Sequence, residues 1–198
     1  MGAQLAQMGM GVADTVMAGR YGSEDLAGVA LGSSILWPTL ILFMGVIQAV
    51  TPTVSQLNGS RSYSEIGEVI RQGIWMALFG GAAIFFILNN IGPVYELMRV
   101  DPAAVAIALP YLSMASYGLP ALMIFFCLRF LSDGMGYTRP ALIISVTALA
   151  IKIPMNYVLI YGKFGLPELG GVGCGVAQAI VMWLQLFLIL IVVSRERF

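Results

Sequence analysis

Four polar side chains stand within long apolar stretches, Asp14, Asn156 and Gln178 at spacings that bring them to a similar level and Lys152 one turn further in. Asp14 comes five residues before Gly19, which ends its apolar block. At 1.5 Å per helical residue that is about 7–8 Å from the end of a helix. Asn156 comes six residues before Gly162, and Gln178 lies about seven residues into the block that follows. Lys152 is one turn beyond Asn156 on the same face, because residues i and i+4 are neighbours on a helix. A carboxylate, an ammonium and two amides at one depth in a membrane suit the binding and release of a cation or proton. An ammonium near the bilayer centre costs about 2.5–3.5 kcal/mol on insertion scales, so Lys152 needs a partner or water, and Asp14 is the obvious candidate. Several roles fit these residues. Asp14 and Lys152 can form a salt bridge fastening the first span to the fifth, with Asn156 bonding backbone freed by Pro154. Alternatively the four line a watered cavity in which Asp14 takes up a cation or proton and releases it as its neighbours change. In a third arrangement Asp14 snorkels to the surface.

Membrane helices carry these residues. Hydrophobic residues make up 59% of the chain and charged residues 10%. Soluble domains run near 45–50% and about 25%, so a soluble fold could not hide this surface. A window of about 20 residues, the length that crosses a hydrocarbon core of about 30 Å, gives an all-α chain of six spans. They lie near 1–18, 26–55, 68–91, 103–131, 139–161 and 171–194. Pro38, Pro52, Pro110 and Pro120 fall inside the long second and fourth spans, where they predict tilting or kinking. The first block contains Gln4, Gln7, Asp14 and several glycines, and reads as the second half of a longer helix. The expectation is that the chain starts partway through its first span, with no signal peptide.

Charge placement orients the spans. With both termini in the cytoplasm, Arg61, Arg71, Arg129, Arg139, Arg195 and Arg197 lie inside, against Arg20, Arg99 and Lys163 outside, as the positive-inside rule requires. Net charge is zero, which gives nucleic acid no basic surface to bind. Cys127 and Cys174 are far apart in apolar surroundings, and histidine is absent, so neither a disulfide framework nor a thiolate or imidazole metal site is expected. Asp133, with Arg129 and Arg139 around it, reads as a solvated cap at the inner face.

The loops after the first and fifth blocks resemble each other. Gly19 to Gly32 and Gly162 to Gly175 match at six of fourteen positions, which predicts that hairpins 1–2 and 5–6 are equivalent units with loops on one side. Gly28 and Gly32, and again Gly171 and Gly175, lie four apart at helix starts, where small residues let helix backbones approach closely.

Asp14-Thr-Val-Met-Ala-Gly19, Gln56-Leu-Asn-Gly59, Asp133-Gly-Met135 with Arg139-Pro140, Ile153-Pro-Met-Asn-Tyr157, and Tyr161-Gly-Lys-Phe-Gly165 running into Gly170-Gly-Val-Gly-Cys-Gly175 occur in this order. Together they resemble the NorM-type branch of the multidrug and toxic compound extrusion family, over essentially the whole chain. The resemblance implies one six-helix lobe, the N-terminal one, of a twelve-helix antiporter in a bacterial inner membrane. Such an antiporter exchanges Na⁺ or H⁺ for cationic, amphipathic drug-like molecules and needs no other cofactor. It also implies that a C-terminal lobe is missing, and that Asp14 and Asn156 belong to an ion- or proton-coupling site; the residues themselves add Lys152 and Gln178 as cavity-lining groups or charge partners beside it. Lys152 departs from the family pattern, since its position often holds a second asparagine there. Its charge can replace a bound cation electrostatically. Gln178 stands where a small hydroxyl residue is common.

Other readings make weaker demands on these residues. A lipid-linked precursor flippase of related fold would carry a larger set of arginines within the membrane to meet phosphate. An intramembrane enzyme would need a nucleophile and base at one depth, and Ser145 is two turns from Lys152. A lobe that folds but does not transport would retain every local signal described.

Overall fold

The computed structural model describes residues 2–165 and 167–195. Nine α-helices follow one another among them: α1 (Gly2–Tyr21), α2 (Ser23–Ile47), α3 (Val50–Gly59), α4 (Tyr63–Asn89), α5 (Gly92–Leu97), α6 (Pro102–Ser116), α7 (Leu119–Gly134), α8 (Arg139–Ile160) and α9 (Gly171–Arg195). A short 3₁₀ turn, Lys163–Gly165, lies between α8 and α9. No strand occurs among the described residues.

The expected spans correspond to α1, α2 with α3, α4, α6 with α7, α8 and α9, while α5 is a short connector. Four segments are long and apolar enough to cross a bilayer: Ser23–Gly59, Tyr63–Asn89, Arg139–Ile160 and Gly171–Ser194. A fifth is the pair Pro102–Ser116 and Leu119–Gly134, bent by 51°. The helix of the first block forms as expected, but its polar residues and glycines keep α1 below that apolar threshold.

Proline decides where the two long spans break. The break between α6 and α7 lies at Tyr117–Gly118, just before Pro120, and that between α2 and α3 lies at Gln48–Ala49, before Pro52. A proline lacks the N–H that would bond the previous turn and clashes with its carbonyl, yet fits a new first turn. Pro38, Pro110 and Pro154 leave α2, α6 and α8 continuous.

Helix α7 is the centre of the bundle. Phe125, Cys127, Met123 and Leu119 are fully buried, and α4, α3 and α9 pack around it. The outer surface carries exposed Trp75, Phe79, Phe86, Trp183 and Phe187, the arrangement expected of a protein solvated by lipid. Cys127 and Cys174 are free and buried. Near the end of α7, Arg129 Nε lies 3.7 Å from Asp133 Oδ2. Arg197, counted above among the inner charges, lies outside the described residues.

The two glycine pairs meet one partner, α6. A Cβ on Gly28 would lie 2.5 Å from Ile107 Cβ, and one on Gly32 2.5 Å from the Tyr111 ring. From the other side, a Cβ on Gly171 would lie 3.1 Å from Ile107 Cγ2 and one on Gly175 2.5 Å from the Tyr111 carbonyl oxygen. Ile107 and Tyr111, one turn apart, are thus gripped between the starts of α2 and α9. The same corner is tied by Asp25, whose Oδ1 accepts a 2.6 Å bond from the Gly171 backbone N–H. A carboxylate there caps the start of α9 and complements its dipole, a contribution of about 1 kcal/mol.

Candidate functional site

Helix α1 lies against α8 and α2, and its buried stripe runs Ala6, Met10, Asp14, Ala18 at intervals of four. Asp14 is the polar member of that stripe, which sends its carboxylate inward rather than to the surface; the snorkelling arrangement does not occur. The side chain is 5% exposed. Helices α1 and α8 run parallel: Asp14 meets Lys152 and Asn156, and Gly9 faces Leu149. Helices α8 and α9 run antiparallel, with Gly173 against Leu159 and Gln178 against Lys152.

All four residues singled out by depth meet at this junction. Lys152 is fully buried, and its Nζ donates to Asp14 Oδ2 at 2.7 Å and to Gln178 Oε1. Asn156 Nδ2 donates to the second carboxylate oxygen, Oδ1, at 2.6 Å. Both oxygens of Asp14 are therefore occupied, one by a cation and one by an amide. Asn156 Oδ1 is buried and has no partner among the described residues. The thiol of Cys174 lies 4.0 Å from the Asp14 carbonyl oxygen, a contact the sequence did not suggest although Cys174 is one turn from Gln178.

This arrangement neutralises a charge inside a membrane with a charge from the same chain. An ion pair taken out of water is stabilised only when its remaining donors and acceptors are satisfied. Here Gln178 and Asn156 serve that purpose, one for each ion. Removing the charge on Asp14 would free the ammonium, and the idle Asn156 Oδ1 offers it an acceptor one turn away.

The opposite face of α1 borders an open groove against α2 of about 860 Å³. Its walls are apolar and sulfur-rich, with Leu5, Met8, Val12, Trp37, Ile41 and Met44, and carry Gln7, Thr15 and Ser33 as polar points. Methionine and tryptophan surfaces adapt to varied apolar shapes. A single helix thus separates the buried ion pair from a groove of ligand size. Composition alone does not show the groove, because its residues come from two helices whose facing sides are set by packing.

The family model described as MatE matches residues 1–158. The multidrug resistance protein MdtK of Yersinia pestis (strain Pestoides F) is 43% identical over 196 residues, 98% of this chain and 43% of that protein. MdtK of Yersinia pseudotuberculosis serotype O:1b (strain IP 31758) matches to the same extent. The chain spans less than half the length of these curated relatives. Among solved structures, the eukaryotic MATE transporter AtDTX14 superposes with a TM-score of 0.90 at 20% identity, covering 99% of this chain and 43% of that one. An outward-facing multidrug resistance MATE family transporter of the MOP superfamily gives 0.88 at 21%, with the same coverage. At such identity these structures share the fold with this chain. The matched relatives are transporters, which removes the intramembrane enzyme reading. By the family model that covers most of its length, this integral membrane chain belongs to the MatE family, the multidrug and toxic compound extrusion transporters.

Proposed function

We propose that the chain is the N-terminal lobe of a NorM-type antiporter of a bacterial inner membrane, with both termini cytoplasmic. It exports cationic, amphipathic compounds, and Asp14 is its coupling group. The observation that carries this reading is the buried contact of Asp14 with Lys152 and Asn156 on the reverse side of the helix that walls the groove. Multidrug resistance relatives at 43% identity support the substrate class.

The coupling ion at Asp14 is a proton in this reading. Lys152 already supplies the positive charge, and a Na⁺ ion would have to displace it against repulsion between like charges at close range. Protonation asks less: the carboxyl stays in place, and Lys152 turns to Gln178 and Asn156. Because α1 is seated on α8 through this pair, its release alters the seating of α1 and hence the groove.

The test is ethidium efflux from energised membrane vesicles carrying the chain, alone and co-expressed with the complementary C-terminal half of Yersinia MdtK. Efflux driven by an imposed pH gradient, absent with a Na⁺ gradient and reduced to the level of empty vesicles by Asp14→Asn, is expected. Efflux that Asp14→Asn leaves unchanged would sink the assignment of Asp14.

A further inference from the structure

The contacts that define the Asp14 junction also set the register of the three helices around it. Seven residues from Lys152 toward the start of α8 is Ser145, and seven from Gln178 toward the end of α9 is Gln185. Seven residues is two turns, about 10.5 Å along the axis and nearly the same face. Because α8 and α9 are antiparallel, Ser145 and Gln185 lie at one level. Seven residues before Asp14 on the parallel helix α1 is Gln7, at that level as well.

Ser145 and Gln185 are 0% and 2% exposed. Ser145 Oγ and Gln185 Nε2 have no hydrogen-bond partner among the described residues. A buried polar group left without a partner is destabilising, so two at one level call for an occupant. Water has the chemistry to meet both, since buried waters bridge otherwise unsatisfied polar groups. Gln7 is half-buried and also borders the α1–α2 groove, which gives this level a polar side toward the groove.

Between the two polar levels lies an apolar one. Met10, Ala148 and Val181 are buried against one another, and they stand four, four and three residues from Asp14, Lys152 and Gln178. None of the three offers water a hydrogen bond, and the unbranched Met10 is the one able to swing aside.

We propose that Ser145 and Gln185 hold water in a second polar site, two turns from Asp14 toward the Arg139 end of α8. Met10, Ala148 and Val181 form the plug that separates this water from the Asp14 site. The water is then the source and sink for the proton of Asp14 from that side. This last step rests on the proton-exchange role of Asp14, whereas the hydration of the site does not. The ionisable groups around Asp14 are Lys152, Tyr111 and Cys174, and none of them is at the Ser145 level.

The test uses the whole chain in lipid bilayers. In glutamine-labelled protein, solid-state NMR measures magnetisation transferred from water to the side-chain amides, with Gln185→Leu identifying the Gln185 signal. Early transfer to Gln185 is expected, and it is weakened by Ser145→Ala. Transfer to Gln185 no faster than background spin diffusion would overturn the proposal. A second measurement follows Asp14 by infrared spectroscopy after a pH jump. Met10→Ala is expected to speed its titration severalfold and Met10→Phe to slow it. Equal rates in all three would overturn the plug. If Asp14 does not titrate in any variant while Gln185 receives water magnetisation, the hydrated site stands and the proton reading of Asp14 falls.

Discussion

Asp14→Asn is expected to cost about 3–5 kcal/mol of stability, because it strands a fully buried ammonium. Asparagine keeps the size of the side chain but has one acceptor oxygen where the carboxylate has two, so it can accept from Lys152 only by turning its NH2 toward Asn156, whose amide must flip to accept. It also loses the charge that balances Lys152 at 2.7 Å in a buried site. The loss should therefore be recovered when the opposite charge is removed too. In Asp14→Asn/Lys152→Gln the remaining groups are amides that can pair among themselves and with Gln178. Breaking a buried ion pair on one side is far more damaging than removing both partners. Thermal unfolding in detergent of the two single variants and the double variant reads this directly. A double variant more stable than Asp14→Asn is the predicted result. Losses that simply add would show that the two charges are independent, contrary to the contact described.

The second large effect is expected at Gly175. A methyl group there would lie 2.5 Å from the Tyr111 carbonyl oxygen, and backbone cannot yield as a flexible side chain can. Gly175→Ala must push α9 away from α6, and overpacking of this kind costs about 1–3 kcal/mol or more. Gly67→Ala in α4 supplies the contrast, since a Cβ there meets nothing within 4 Å. It should leave stability unchanged or raise it slightly through helix propensity. Unfolding measurements that rank the two substitutions the other way would contradict the clamp on α6. The shift of α9 in Gly175→Ala should also move Gln178, so this variant is expected to weaken the Lys152 junction.

Much of this architecture was legible in the sequence because a membrane leaves helices few choices. Blocks of apolar residues are helical in the structure, with the second and fourth each broken into two helices and α4 beginning at Tyr63. Depth arithmetic brought Asp14, Asn156 and Gln178 together, with Lys152 one turn from Asn156, because each could be counted from a glycine near a helix end. The glycine pairs announced close approach, but not that both would close on Ile107 and Tyr111 of α6, since a stripe of small residues does not name its partner. The prolines announced bends in the second and fourth spans, while the breaks themselves fell just ahead of Pro52 and Pro120, where the missing N–H takes effect. The Asp25 cap is not legible in the sequence because it joins the starts of α2 and α9, 146 residues apart. Gln185 was visible as a polar residue two turns from Gln178, yet that its Nε2 has no partner among the described residues appears only when the surrounding side chains are in place. For α1, composition gave a span with too many polar residues, and the structure shows why they are there: one side holds Asp14 against α8, and the other borders the groove.

The geometry assigns the neutralisation of Asp14 to Lys152 rather than to a metal ion. Isotope-edited infrared difference spectroscopy of the chain in bilayers, with Asp14→Asn assigning the band, tests it most directly. Acidification at zero Na⁺ is predicted to convert the Asp14 carboxylate band to that of a protonated carboxyl, and addition of Na⁺ at constant pH to leave the carboxylate band unmoved. A Na⁺-dependent shift of that band in the protein with Lys152 intact would contradict the account.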